Sequence, residues 1–577
     1  MLDPTTQATI DHWLNGDYDD ATKSDIRAMI DRGAWTELTD AFYRGLEFGT
    51  GGLRGIMGVG SNRINRYTLG MATQGLSNYL KQSFPGVQIK VAIAHDSRNN
   101  ANRFANIVAD VFSANGIEVH LFDELRPTPQ LSYAIRELGC HSGVMLTASH
   151  NPKEYSGYKA YWNDGGQLIA PHDKNVVAEV AKISSVSDVK WTRNDSLIRR
   201  VGAEMDAKYI GRIAQESISR DAIRRQHDLK IVFSPIHGTG FPSVPPALRA
   251  YGFTNVILVD EQCTMDGNFP TVVYPNPEEH EALTLALKKA KETDADLVMA
   301  TDPDADRVGI AVKDHRGNWI LLNGNQTGSL LMHYVLQAWK EAGKLDGNQY
   351  VVKTIVTSNL MDEIAASFDV PCPNVLTGFK FIGALMTANE GKKTFVVGGE
   401  ESYGYLVGEH ARDKDAVIAC AMIAEMAAWY KDQGRTLFDG LLDLYVNYGF
   451  YKEKLISITK KGKAGAEEIA AMMNGFRETT PTTLGGVPVS ILKDYTARTS
   501  RDMSTGVLSS TELPASDVLQ FILSDGSVIS ARPSGTEPKI KFYCSVRADL
   551  ASRGDYESIS ETLDRKIDAI MADLGVA

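Results

Sequence analysis

The sequence predicts an α/β protein in which three similar α/β domains with mixed, mostly parallel sheets precede a distinct C-terminal α+β domain. Three observations carry this expectation. Apolar, strand-like runs at residues 90–94, 230–233 and 350–356 open three segments of one layout, in which strands alternate with helical stretches as parallel sheets with right-handed crossovers require. The first two segments then reach similar text, Ala114-Asn115-Gly116-Ile117-Glu118-Val119 beside Ala250-Tyr251-Gly252-Phe253-Thr254-Asn255-Val256, with a weaker counterpart at 368–375. Beyond about residue 445 the layout gives way to short β-like runs and two helical stretches, 464–476 and 556–574.

In chain order, residues 1–45 read as a helical extension, with Trp13 and Trp35 at helical spacing from other apolar residues. No function attaches to it. Residues 46–205, 206–325 and 326–445 are the three α/β domains and 446–577 the fourth. Ligand loops of such sheets lie at the carboxyl ends of strands, and each α/β domain has a polar loop at that place.

In the first domain, Gly143-Val144-Met145-Leu146 leads into Thr147-Ala148-Ser149-His150-Asn151-Pro152. A hydroxyl is presented on a rigid support, and Pro152 forbids helix continuation. An ordinary polar turn is the plainer account of this segment alone, because adjacent residues such as Ser149 and His150 rarely face each other. In the second domain, the run at 295–300 leads into Thr301-Asp302-Pro303-Asp304-Ala305-Asp306-Arg307. Three alternating carboxylates repel one another unless a cation sits among them, and hard oxygen ligands suit Mg²⁺. An EF-hand is excluded, since it needs Gly and Glu where this chain has Arg307 and Lys313. A solvated acidic turn is the competing account.

The third loop, Gly398-Gly399-Glu400-Glu401-Ser402-Tyr403-Gly404, pairs glycines that let a backbone approach a ligand with side chains suited to sugar hydroxyls; a plain glycine-rich turn would read the same. The fourth is Arg532-Pro533-Ser534-Gly535-Thr536-Glu537-Pro538-Lys539, between strand-like stretches. It has the makings of a phosphate cradle: a guanidinium fork, two hydroxyls, a glycine, and the added charge of Lys539 and Lys541. The alternative is a hairpin with incidental basic residues.

Bulk properties fit an enzyme with sizeable cores. The chain has 577 residues, 43% hydrophobic and 23% charged, which excludes disordered and fibrous classes. A net charge of −12 argues against general nucleic-acid binding, so an anionic substrate would be drawn by local cations, among them Arg54, Lys159, Arg307, Lys380 and Arg532. Five scattered cysteines without CxxC spacing suit a reducing compartment. The N-terminus lacks the basic and apolar regions of a signal peptide. The most apolar stretch, 416–430, is interrupted by Glu425 and too short to span a bilayer, so a buried helix and a cytoplasmic protein are expected.

Together with Gly49-Thr50-Gly51-Gly52-Leu53-Arg54-Gly55 and Thr377-Gly378-Phe379-Lys380, the four loops resemble, in content and order, the α-D-phosphohexomutase superfamily of phosphoglucomutases and phosphomannomutases over most of the chain. The stretch 400–405 and Asp413-Lys414-Asp415 look most like the bacterial phosphoglucomutase branch related to phosphopentomutase-type proteins. The resemblance implies a central cleft among four domains and an isomerase interconverting glucose 1-phosphate and glucose 6-phosphate, with a sugar 1,6-bisphosphate as intermediate and activator. Ser149 would carry the phosphoryl group, with Mg²⁺ held by Asp302, Asp304, Asp306 and the phosphoserine. Arg54 and His150 would contact the transferred phosphate, and Lys159 and Lys380 would move protons, with Lys159 alternatively a phosphate contact. Glu400 and Ser402 would hold sugar hydroxyls, and Thr377 and Gly378 would lie in the sugar-specificity loop. Arg532, Ser534, Gly535, Thr536 and Lys541 would cradle the idle phosphate, with Arg307 adding charge. Mannose or pentose phosphates, a phosphatase and a non-catalytic sugar-phosphate sensor are the alternatives. Neither nucleic acid nor membrane is expected as a partner, and the chain would act as monomer or homodimer.

Overall fold

The computed structural model describes residues 2–49, 51–460, 462–535 and 538–576. Its N-terminal segment is three helices, Pro4–Asn15, Asp20–Asp31 and Trp35–Phe42. Asp3 and Asp19 cap the first two by accepting from backbone N–H groups of the first turn. Ile10, Trp13, Ile26, Leu38 and Phe42 form a small core with Tyr67. Trp35, by contrast, opens the third helix and is 46% exposed.

Three sheets repeat one strand order. In the first, a six-stranded sheet, the strands lie in the order Gly52–Ile56, Tyr155–Trp162, Ser142–Leu146, Lys90–His95, Glu118–Phe122 and Ile198–Val201. The second orders Trp319–Leu322, Val308–Lys313, Leu297–Thr301, Ile231–Ser234 and Val256–Leu258. The third orders Tyr405–Val407, Thr394–Gly399, Gln349–Thr354 and Asn374–Val375. In each, an opening strand pairs in parallel with a crossover strand on one side and with the strand carrying a polar loop on the other. An antiparallel strand then returns beside the loop-bearing one. The loop-bearing strands Ser142–Leu146 and Leu297–Thr301 are buried along their whole length, which is why they read as continuous apolar runs.

The fourth unit differs. Gly449, at φ +98°, turns the chain out of helix Leu437–Tyr448 into strand Phe450–Thr459. That strand leads an antiparallel sheet in which Val528–Pro533 and Lys539–Ala548 form the hairpin bearing Arg532. Ile355, Val356 and Leu376 of the third unit pack on Tyr495, Val518 and Tyr543 of the fourth, and Gln520 Nε2 donates to the Ile355 carbonyl at 2.7 Å. This contact fastens the fourth unit to the third.

Helix Ala416–Asp432 is buried almost throughout, as its composition predicts, and none of the described helices is long and apolar enough to cross a membrane. Its interior carboxylate, Glu425, is wholly buried and accepts from Ser217 Oγ, the backbone N–H groups of Ile218 and Ser219, and Tyr334 Oη at 2.6–2.9 Å. It fastens the segment between the first two sheets to the third unit. Glu425→Ala strips one buried and three half-buried donors of their acceptor and is expected to cost about 3 kcal/mol, read as a lowered midpoint in urea unfolding.

Candidate active site

Ser149 stands just beyond strand Ser142–Leu146 with φ +53°, in the left-handed region. For a non-glycine residue that conformation costs on the order of 1–2 kcal/mol and persists only where surroundings impose it. Its N–H donates to Thr147 Oγ1 at 2.8 Å, and its hydroxyl donates to Asp302 Oδ2 at 3.0 Å. The first two polar loops therefore meet.

The three aspartates offer ligand atoms within 4.8 Å of one another and are at most 1% exposed. Each is anchored on one oxygen. Asp302 Oδ1 accepts from the N–H groups of Asp306 and Arg307 at 3.0 and 3.1 Å. Asp304 Oδ2 accepts from Thr128 Oγ1 at 2.7 Å and Lys159 Nζ at 2.6 Å. Asp306 Oδ2 accepts from Lys159 Nζ at 3.2 Å and pairs with Lys414 Nζ at 2.8 Å. The remaining oxygens, Asp304 Oδ1 and Asp306 Oδ1, are buried without a hydrogen-bond donor. Anchored carboxylates with orphaned oxygens beside a serine hydroxyl are an all-oxygen donor set that fits a hard divalent cation.

The charges act on one another. Burial, then Asp306 and Asp304, push the Asp302 carboxyl well above the usual carboxylate range. Burial also works against the charge on Asp306, but Lys414, Lys159 and Arg307 outweigh it and hold that carboxyl low. For Lys159, burial opposes the charge while Asp304 and Asp306 more than restore it, so its pKa is raised. Lys159 is thus held as an ammonium, the opposite of what a resting base needs. Of the two candidate proton carriers, Lys380 is the one whose pKa falls, through burial and the Arg532 charge, with Asp173 pulling the other way.

His150 lies 3.2 Å from Ser149 Oγ through Nδ1, which also receives Arg307 Nη1 at 3.0 Å. Burial and the charges of Arg307 and Arg54 push its pKa well down, leaving a neutral ring with its proton on Nε2. Arg307 is held in turn by Glu278 at 3.0 Å. Arg54, on strand Gly52–Ile56, donates to Asn151 Oδ1 at 3.3 Å.

A cleft of about 990 Å³ joins these groups to the other units. Its lining includes Arg54, Ser149, His150, Lys159, Asp306 and Arg307 from the first two units, and Thr377, Gly378, Lys380, Glu400, Ser402, Arg532 and Lys541 from the third and fourth. The Gly378 N–H donates to Glu400 Oε1 at 3.1 Å, tying the specificity segment to the glycine-rich loop. Burial pushes Glu400 up to about 7, opposed by Lys414 and helped by Glu401. Ser534 and Gly535 form an exposed hairpin tip outside this lining, and Thr536 lies outside the described residues.

Sequence reasoning missed three contributors. Lys414 contacts Asp306, and Asp413 holds Lys414 at 3.3 Å while accepting from Tyr161 Oη at 2.8 Å. Glu278, which orients Arg307, also lines the cleft. A signal for Lys414 existed: a charged Asp-Lys-Asp triplet directly before the most apolar helix, with Asp415 capping that helix.

Family models match three stretches. Residues 45–187, 207–317 and 323–448 match phosphoglucomutase/phosphomannomutase alpha/beta/alpha domains I, II and III. A phosphoglucomutase of Staphylococcus haemolyticus is 34% identical over 553 residues, covering 96% of this chain and 98% of the relative. One from Staphylococcus epidermidis is 37% identical over 508 residues, covering 87% and 91%. Among solved structures, parafusin (phosphoglucomutase) from Paramecium shares the fold at TM-score 0.66 and 20% identity, covering 91% of this chain and 95% of that one. A phosphoglucomutase/phosphomannomutase family protein from Burkholderia thailandensis does so at TM-score 0.64 and 18% identity, covering 91% and 97%. Matches over the first three units and almost the whole length agree with the serine, acidic and glycine-rich loops meeting in one cleft, and the chain belongs to the phosphoglucomutase/phosphomannomutase family.

Proposed function

We propose that the protein interconverts glucose 1-phosphate and glucose 6-phosphate in the cytoplasm, with phosphorylated Ser149 as donor and glucose 1,6-bisphosphate as the intermediate that turns over in the cleft. The observation that carries this is the hydrogen bond from Ser149 Oγ to Asp302 inside the aspartate cluster, across a cleft from the cationic hairpin of Arg532 and Lys541. Staphylococcal relatives named phosphoglucomutase support glucose as the sugar.

In the forward step the Oγ–P bond of phosphoserine breaks as a sugar hydroxyl oxygen bonds the phosphorus; that hydroxyl gives up its proton and the departing Ser149 Oγ takes one up, so that no net proton is gained or lost. Asp302, Asp304 and Asp306 would hold Mg²⁺, which when bound offsets negative charge on the phosphoryl oxygens. Lys159 and Lys414, kept charged by carboxylates, neutralise and position the phosphoryl group. Lys380, whose charge burial disfavours, is suited to accept the hydroxyl proton. His150, neutral with its proton on Nε2, and Arg54 act as donors to the phosphoryl oxygens. Glu400 and Ser402 hold sugar hydroxyls in both orientations, while Arg532 and Lys541 hold the idle phosphate. The second half returns the other phosphate to Ser149 by the same displacement in reverse.

The test is coupled conversion of glucose 1-phosphate to glucose 6-phosphate with Mg²⁺ and trace glucose 1,6-bisphosphate, alongside mannose and ribose 1-phosphates. Preferential glucose turnover supports the reading. Preference for mannose or ribose reassigns the substrate, and release of inorganic phosphate without isomerisation overturns the mutase.

A pH profile checks Glu400. Ionised, it accepts from two sugar hydroxyls, so kcat/KM is expected to rise as pH passes upward through about 7. Glu400→Gln should lose that inflection and keep only the one near pH 6 from the substrate phosphate, about the second pKa of a phosphate monoester.

A further inference from the structure

The first three units share more than strand order. In each, the loop after the opening strand lies beside the loop that carries chemistry, because the two strands are parallel neighbours. In each, that neighbour fastens the chemical loop.

The fastening is most elaborate in the first unit. After strand Lys90–His95 comes Asp96-Ser97-Arg98. The Arg98 side chain is 0% exposed and spends its donors on the backbone of the serine loop. Nη2 donates to the carbonyls of Ser149, at 2.7 Å, and Asn151. Nη1 donates to those of Pro152 at 2.8 Å and Tyr155 at 2.9 Å. Asp96 balances the guanidinium at 3.4 Å and accepts from Thr147 Oγ1 at 2.6 Å, the hydroxyl that receives the Ser149 N–H. A planar five-donor cation can grip four carbonyls at once; an ammonium cannot.

In the second unit, the N–H and Oγ1 of Thr239 both donate to the Pro303 carbonyl, at 2.8 and 2.9 Å, between Asp302 and Asp304. Gly238 approaches so closely that a Cβ there would fall 2.4 Å from Pro303 Cα. In the third, the hydroxyls of Thr354, which ends the opening strand, and of Thr357 in the loop after it reach Glu401 Oε2 at 3.3 and 3.4 Å.

We infer that the loops after the three opening strands are a repeated positioning layer for phosphoryl transfer, and that Arg98, with Asp96 and Thr147, is the residue set that holds Ser149 in its left-handed conformation against Asp302. Arg98 is a positioning residue: its contacts run through the backbone that carries the serine. The inference rests on Ser149 being the phosphoryl carrier.

The test compares native protein with Arg98→Lys, Thr147→Val and Thr147→Ser, reading kcat and KM separately with glucose 1-phosphate, thermal unfolding, and the fraction of Ser149 phosphorylated on exposure to glucose 1,6-bisphosphate. Misplacing the serine by about an ångström is expected to lower kcat of Arg98→Lys by about 100-fold with KM within about threefold, because the sugar-holding residues are untouched. Thr147→Val should lose about tenfold and Thr147→Ser recover it, since only the hydroxyl links Asp96 to the Ser149 N–H. Phosphorylation of Ser149 should slow in parallel. A folded Arg98→Lys with kcat within about threefold of native overturns the inference, as does activity lost only in proportion to unfolded protein. Should Arg98→Lys not fold, the threonine pair decides, and Thr147→Val as active as Thr147→Ser overturns it. Native protein without mutase activity would overturn the proposed function itself, a result separate from active native protein with indifferent variants.

Discussion

Ser149→Ala is expected to lower turnover of glucose 1-phosphate by at least about 10⁴-fold while leaving a folded protein that still binds sugar phosphate. The size follows from the absence of a substitute. Thr147 Oγ1, the nearest hydroxyl along the chain, is engaged with Asp96 and the Ser149 N–H. The fold should survive because the Arg98 bonds run to backbone carbonyls that alanine retains. Sugar binding should survive because Glu400, Ser402 and Arg532 lie on other units. Three measurements check this together: coupled turnover, phosphate incorporation from glucose 1,6-bisphosphate followed by mass spectrometry, and calorimetric binding of glucose 6-phosphate. Turnover within about tenfold of native would remove the phosphoserine from the mechanism.

Serine and aspartates were legible in the sequence for a physical reason. Buried parallel strands read as apolar runs, their carboxyl ends are where ligands bind, and an acidic triplet at such an end has few stable uses without a cation. The threefold repeat was legible too, because its opening strands and crossovers retain similar text. What stayed hidden depends on long-range contacts that leave no local pattern. Nothing near Lys159 in the chain says that Asp304 and Asp306 will close on it, yet those contacts keep it charged and so bear on the two roles, proton mover and phosphate contact, that the sequence left open. Lys414 was visible only as part of a family-like triplet, and its place on Asp306 comes from the packing of helix Ala416–Asp432. Arg98 left no signal, because its partners are main-chain carbonyls that any sequence supplies. Of the fourth loop and its flank, Arg532 and Lys541 line the cleft, whereas Ser534 and Gly535 stand at the exposed tip.

The second large effect concerns Asp302. Replacing it by Asn should lower turnover by about 10³-fold and abolish saturable activation by Mg²⁺, because the amide offers the cluster an N–H group where an anionic oxygen stood. The fold should hold, since the retained amide oxygen can still accept from the Asp306 and Arg307 N–H groups. The charge balance adds a sharper expectation. Asp302, Asp304 and Asp306 face Lys159, Lys414 and Arg307, but Lys414 is shared with Asp413 and Arg307 with Glu278, so these cations offset the aspartates only in part, and the raised pKa of Asp302 reflects burial together with its like-charged neighbours. A divalent cation entering alone must compete with lysine and arginine for carboxylate oxygens that those side chains already hold, whereas a phosphoryl dianion on Ser149 adds oxygens and negative charge beside Asp302 for it to bind. Mg²⁺ is therefore expected to bind phosphorylated protein at least about tenfold more tightly than dephosphorylated protein, roughly one ion-pair's worth of free energy in a water-poor site. Calorimetric titration of both forms reads this directly. Equal affinity would mean that the ion and the phosphoryl group do not share the aspartate cluster, and an Asp302→Asn protein with native Mg²⁺ affinity would take Asp302 out of the ligand set.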